Sequence, residues 1–465
     1  MTIPFEQIPG PDIGSNFFSQ IRTMSAFSQN LIESTGNAFA EHGDVVALTP
    51  LGDRMVLLRH PDYIHEALVT KSKSLEKSPD YTDPKKGLAR FVGAGILTAN
   101  GDFWRRQRKQ VSPAFHTQRI TAYADAMVTA GDKMLAQWPA QGELDIATEM
   151  MHVTLEIIAG TISRYDLSAD ADRIDAAMDA INDYNSKFSI IPTWFPTPME
   201  RRVRQAVKDL DDIVYSMIAD WRKNGEDDGS LLSMLMLAED EDGNHMTDKQ
   251  IRDETVTLIL AGHETTANTL NWTFKLLAEN PEAEAKLHEE LDTVLQGRLP
   301  QLEDLRQLPY TEMIIKESLR LYPPAWGVSR VAKEDLTIGD YEVPKGTIIN
   351  LNFYQMHRDG RWWDEPNAFK PERWSPENAD NINKQAYMPF GGGPRVCVGF
   401  AFAQMEAQLL LATIAQRYKL SLKPGQVVTP DAHITMYPHG GLPMIVTRRE
   451  VPMQSANPQQ EAMPV

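Results

Sequence analysis

The stretch that most restricts what this chain can fold into runs from Thr247 to about Leu277. Thr247 and Gln250 form a T-x-x-Q capping box, Asp253 and Glu254 follow in the early turns, and Asn280-Pro281 closes the pattern. These signals predict one helix of about 45 Å at roughly 1.5 Å per residue, enough to cross a whole domain. Its middle, LILAGHETTAN, is too apolar at its start to face water. The remaining chain must therefore wrap around it.

The other segments suit such a shell. From about residue 61 to 330, apolar residues recur at three- and four-residue spacing, interrupted by loops such as IIPTWFPTP. TEMIIKESLRLY forms a second clear helical stretch and stops at Pro323-Pro324. VVALT and RMVLL flank PLGD, which predicts a hairpin around 45 to 59. After the second helix come short β-like runs, then a Pro-, Trp- and Asn-rich meander from about 357 to 389. With no repeat, low-complexity tract or linker, residues 1–450 read as a single mainly α domain with small β-sheets, and 451–465 as a polar, disordered tail.

A formal net charge of −18 argues against nucleic acid or an anionic membrane surface as the main partner. The opening MTIPFEQIPGPDIGSNFFSQ has no basic segment followed by an apolar run, so neither a secretory signal nor a membrane anchor is expected. The single cysteine allows no intramolecular disulfide and no four-cysteine metal site, and points to the cytoplasm.

That cysteine lies in Phe390-Gly-Gly-Gly-Pro-Arg-Val-Cys397-Val-Gly399, followed by the helical FAFAQMEAQLLLATIAQRY. A lone cysteine is commonly a small buried hydrophobe. Here a Gly-rich loop presents it at a helix N-terminus, where the dipole and free N–H groups are expected to lower the thiol pKa, as suits a metal-bound thiolate. Around haem iron, Phe390 would pack beside the sulfur, Gly393 and Gly399 would let backbone approach the porphyrin, and Arg395 would meet a propionate.

The segment resembles the haem-binding signature of the cytochromes P-450, F-x-x-G-x-R-x-C-x-G, at every fixed position. Glu317-Ser-Leu-Arg320 is similar to the family's E-x-x-R, and Pro371-Glu-Arg373-Trp374 to its P-E-R-F, with Trp in place of the usual aromatic. Ala261-Gly262-His263-Glu264-Thr265-Thr266 resembles its oxygen-activation sequence, and Gly101-Asp-Phe-Trp104-Arg-Arg-Gln-Arg108 its W-x-x-x-R. His263-Glu264 also begins an H-E-x-x-H zinc motif, but the fifth residue is Ala267.

The resemblance implies a triangular-prism fold, with non-covalent haem b between the long helix and the cysteine helix. Cys397 would be the axial ligand, and Trp104, Arg108, Arg330 and Arg395 would hold the propionates. Gly262 would leave room for O2, while Glu264 and Thr265 would deliver protons during its activation. Glu317, Arg320 and Arg373 would form a buried structural triad that fixes the loop carrying Cys397.

By the same resemblance, the substrate pocket is lined from just before Thr98, from Thr257, Leu260 and Ala261, from Ala325 and Trp326, and around Thr435 and Met436. These are mostly apolar, so the expected substrate is a lipophilic fatty acid, terpenoid or steroid-like molecule. No flavin or iron-sulfur segment is present, so a separate ferredoxin or flavodoxin with its reductase is expected to supply two electrons. Arg105, Arg106 and Lys109, with Lys384 nearby, would form its docking patch. The alternatives are a peroxide-using or hydroperoxide-rearranging haem enzyme, or a haem-binding sensor or carrier without turnover. The acid–alcohol pair argues against both.

Overall fold

The computed structural model describes residues 2–450 apart from 15, 163–169, 187–192, 226, 228 and 241. The tail expected over 451–465 lies outside the described residues.

Six helices position the site: α1 (Gly101–Val111), α2 (Ile146–Ile162), α3 (Ala171–Ser186), α4 (Asp248–Glu279), α5 (Pro309–Leu321) and α6 (Phe400–Ala415). Helix α4 is the long helix. Its capping box is formed: Thr247 Oγ1 accepts from the Gln250 N–H, and Gln250 Oε1 accepts from the Thr247 N–H. It continues two residues past Leu277 to Glu279, because Asn280 closes it and Pro281 opens the next helix. Buried residues occupy every face over most of its length, with α2 packed along one side and α5 and α6 on others. Helix α5 starts at Pro309, earlier than its apolar periodicity suggested, and ends ahead of Pro323 as expected.

Among the described residues, twelve strands make four small sheets: β1 (Val45–Leu48), β2 (Met55–Leu58), β3 (Leu75–Lys77), β4 (Gln141–Asp145), β5 (Gly327–Ala332), β6 (Leu336–Ile338), β7 (Tyr341–Val343), β8 (Ile348–Asn352), β9 (Tyr418–Leu422), β10 (Pro430–Ala432), β11 (Met436–Pro438) and β12 (Pro443–Arg448). The expected hairpin is β1–β2, in register Val45↔Leu58 to Leu48↔Met55. It forms the edge of a five-stranded sheet ordered β1-β2-β8-β5-β3, in which β2 and β8 are parallel. The others are β4-β12-β9, β6-β7 and β10-β11.

One large apolar core surrounds α4 and α6, and a smaller one lies against the five-stranded sheet. Between helix α4 and the loop that feeds α6 lies a cavity of about 330 Å³.

Candidate functional site

Two contacts shape the Gly-rich loop. The Cys397 N–H donates to the Phe390 carbonyl at 3.0 Å, and the Phe390 ring meets Phe400 edge-on at 5.8 Å between centroids. Gly393 has φ +65°, and a Cβ there would collide with the Leu68 carbonyl oxygen. Gly393 thus docks the loop against the Glu66–Thr70 turn, which corrects the expectation that its bareness serves the porphyrin. Gly399 caps α6 and, with Cys397, lines the cavity.

The thiol departs from expectation in one respect. Cys397 is open to the cavity, and the protein enclosing it pushes the thiol up, with the Gly399 N–H and the Arg108 guanidinium opposing this only in part. Desolvation outweighs the helix terminus.

Beside the sulfur the cavity wall is cationic. Trp104 and Arg108 share one face of α1, and the Arg395 guanidinium lies 3.8 Å above the Trp104 ring. Arg395 also donates to Asn100 Oδ1 at 3.1 Å. Arg330, on β5, donates from its guanidinium to the adjacent Ser329 carbonyl. Lys77, on β3, lies 3.8 Å over the Tyr81 ring and is 7% exposed. Among the described residues, none of Lys77, Arg108, Arg330 and Arg395 forms an ion pair with a carboxylate. Burial and repulsion from Arg330 push Arg395 down to about 9, and burial with Arg330 and Arg395 holds Lys77 well below its usual range.

Lys77 and Arg330 are buried and Arg108 and Arg395 half-buried, and cations so clustered are costly unless a ligand supplies the anions. A flat, apolar dicarboxylate held beside a thiol satisfies this demand, so the residues present fit haem. Cys397 would ligate the iron, and the cations would hold the propionates. Lys77 and Tyr81 were missed from sequence, where Lys77 carries no motif.

Across the cavity, α4 supplies Thr257, Leu260, Ala261, Gly262, Glu264 and Thr265 to the wall. A Cβ at Gly262 would lie 2.9 Å from Ile158 Cδ1, so the close approach that Gly262 permits is to α2. Glu264 is 4% exposed, and its Oε1 accepts from Thr435 Oγ1 at 2.7 Å and Asn182 Nδ2 at 3.1 Å. Burial raises its pKa against those two bonds, and Asp179 adds to the rise. Thr265 Oγ1 donates back to the Ala261 carbonyl at 2.7 Å.

Ala325, Ile434 and Thr435 line the cavity, but Trp326 and Met436 do not. They pack with Trp272 and Tyr354 in a separate cluster, where Trp326 Nε1 donates to the His433 carbonyl at 2.9 Å. The correction follows from packing: Trp326 and Met436 turn away from the cavity to fill that cluster.

Glu317, Arg320 and Arg373 come together. Glu317 and Arg320 are both fully buried, joined by bonds of 2.7 and 2.9 Å, and Arg373 Nε donates to Glu317 at 3.0 Å. Arg320 also donates to the carbonyls of His357, Pro366 and Ala368, and His357 Nε2 accepts from the Met388 N–H at 3.0 Å. The network thereby reaches the residues just ahead of Phe390.

On the outer side of α1, Arg105 pairs with Asp102 at 2.5 Å, and the Arg106 guanidinium sits 5.9 Å from the Phe103 centroid. The expected docking cations are thus present, with Arg105 already partly neutralised.

A family model for cytochrome P450 matches residues 8–442. The chain is 36% identical to cyclooctatin synthase from Streptomyces melanosporofaciens, over 85% of this chain and 87% of that protein. It is 32% identical to pentalenene oxygenase from Streptomyces avermitilis, over 89% and 92% of the two chains. The crystal structure of the cytochrome P450DA heme domain superposes with a TM-score of 0.85 at 25% identity, covering 97% of this chain and 99% of that one. No helix among the described residues is long and apolar enough to cross a membrane. The shared motifs, the thiol-bearing cavity and these matches lead to one conclusion: the chain belongs to the cytochrome P450 family.

Proposed function

We propose that this monooxygenase holds haem b on Cys397 and hydroxylates a lipophilic small molecule at an unactivated carbon, in the cytoplasm, as one domain over residues 1–450. Haem iron with a thiolate ligand activates O2 with two electrons and inserts one oxygen atom into a C–H bond. The observation that carries this reading is the cavity itself: one wall carries the sulfur and four uncompensated cations, and the opposite wall carries an acid beside an alcohol.

The chain's own residues then have separable tasks. Trp104, Arg108, Arg330, Arg395 and Lys77 orient the cofactor through its carboxylates. Thr257, Leu260, Ala261, Ala325 and Ile434 exclude water and shape the space above it. Glu264 holds a proton that Thr265 passes inward once its hydroxyl leaves the Ala261 carbonyl. The triad fixes the loop carrying Cys397. Of a fatty acid, terpenoid or steroid-like substrate we place the terpenoid first, because a relative is named for oxygenating pentalenene. Electrons come from a separate ferredoxin or flavodoxin with its reductase, docking on Arg105, Arg106 and Lys109.

The test is the absorption spectrum of the dithionite-reduced, CO-bound protein. A Soret band far to the red of imidazole-ligated haem supports the Cys397 thiolate, and spin-state changes then allow lipophilic substrates to be screened. An unshifted band, or no haem, overturns the reading.

A further inference from the structure

Glu264 has an asymmetric environment. Its Oε1 accepts from Asn182 Nδ2 on α3 and from Thr435 Oγ1 just ahead of β11. Its Oε2 has no hydrogen-bond partner among the described residues. Thr435 Oγ1 also accepts from Asn268 Nδ2 at 3.4 Å, and Asn268 Oδ1 accepts from Asn271 Nδ2 at 3.3 Å. Glu264, Asn268 and Asn271 lie four and three residues apart, on one face of α4.

This chain of bonds has one direction. Each Asn amide nitrogen can only donate, so Asn268 fills one lone pair of the Thr435 hydroxyl, which gives its own proton to Glu264 Oε1. Asn182 likewise brings a proton to Oε1. With two donors on Oε1, a protonated Glu264 can place its own hydrogen only on Oε2. Among the described residues, no cation pairs with the carboxyl. The other titratable groups whose charge reaches it are Asp179 on α3 and Tyr437 on β11.

We propose that Asn182 and Thr435 are positioning residues that together hold Glu264 Oε1 as an acceptor and so assign the acid's transferable proton to Oε2. This rests on the reading of Glu264 as the proton donor and adds which oxygen donates and what selects it. The Asn268–Asn271 ladder is part of the device, because the Asn268 amide occupies a lone pair of the Thr435 hydroxyl and leaves its proton for Glu264. Neither Asn182 nor the ladder belongs to the motif that contains Glu264.

The test is an infrared pH titration of the holoenzyme, following the carbonyl stretch of protonated carboxyls, with Glu264→Gln assigning the band. Removing a donor from Oε1 destabilises the carboxylate, so Asn182→Ala and Thr435→Val are each expected to move the band's midpoint upward by about one pH unit and raise its frequency. Thr435→Ser, which retains the hydroxyl, is expected to restore both. If the Thr435→Val protein fails to retain haem, Asn182→Ala decides alone, because Asn182 does not line the cavity. An unmoved midpoint in these variants, with the band lost in Glu264→Gln, overturns the positioning role and leaves Glu264 as proton donor. A band that survives Glu264→Gln overturns the inference. In that case an unchanged release of hydrogen peroxide from Glu264→Gln would also sink the proton-donor reading.

Discussion

The Trp374 indole N–H donates to Glu317 Oε2 at 3.0 Å, in the interior where Glu317 also meets Arg320 and Arg373. The departure from the family's P-E-R-F thus adds a fourth residue to the buried network. Phenylalanine fills similar space but cannot donate. Trp374→Phe is expected to destabilise the fold by about 1.5–3 kcal/mol, the range for a hydrogen bond to a buried charge. Chemical denaturation of the haem-loaded protein checks this, and wild-type stability in the variant would show the bond to be idle.

Lys77 should act with opposite signs in the two ligation states. Without an anion, its ammonium is buried and repelled by Arg330 and Arg395. With a propionate nearby, it gains a partner. Lys77→Met is expected to raise apoprotein stability by roughly 1 kcal/mol and to speed haem loss about tenfold. Parallel thermal melts and haem transfer to an acceptor protein measure the two effects, and a change of the same sign in both defeats the assignment.

Two buried acids predict an alkaline weakness. Burial pushes Glu254 and Glu406 from 4.5 to about 8, in Glu254 against a bond from the Ile96 N–H. Between the ordinary carboxyl range and pH 8 the unfolded chain has released these protons while the folded chain keeps them. Stability therefore falls as pH rises through that window, the reverse of a salt-bridged carboxylate. Glu406→Gln is expected to remove roughly 1–3 kcal/mol of the loss between pH 5.5 and 8, as read from urea unfolding at both values. An equal loss in variant and wild type would refute the buried neutral acid.

Partner docking predicts a salt-dependent defect. Asp102 already neutralises part of Arg105, so Arg106 should matter more. Arg106→Glu is expected to raise the KM for an acidic ferredoxin about threefold to tenfold at low ionic strength, converging with wild type at high salt. Unchanged partner kinetics would remove this face from consideration.

The sequence revealed what depends on local spacing. Glu317 and Arg320 share a helical face, as do Trp104 and Arg108, and Thr247 with Gln250 starts α4 where expected. It did not reveal contacts made by segments far apart in the chain. Lys77 reaches the cavity because β3 pairs with β5, and Asn182 meets Glu264 because α3 passes near α4. Trp326 and Met436 went astray by one residue, because their side chains are taken up by the cluster around Trp272 and Tyr354, which the sequence does not show. The thiol differed in another way: the helix terminus was visible in the sequence, whereas the surrounding protein that pushes the thiol up came only with the tertiary structure.

Donors from four residues, Arg320, Lys370, Arg373 and Trp374, converge on the Glu317 carboxylate. Such a hub has no stable half-assembled form, because any missing arm strands charge in a dry interior. The meander is therefore docked in full or not at all, and the cysteine loop inherits that threshold. Moderate damage anywhere along this strap should yield a mixture of competent and cofactor-free molecules, rather than a uniform population with a loosened iron site.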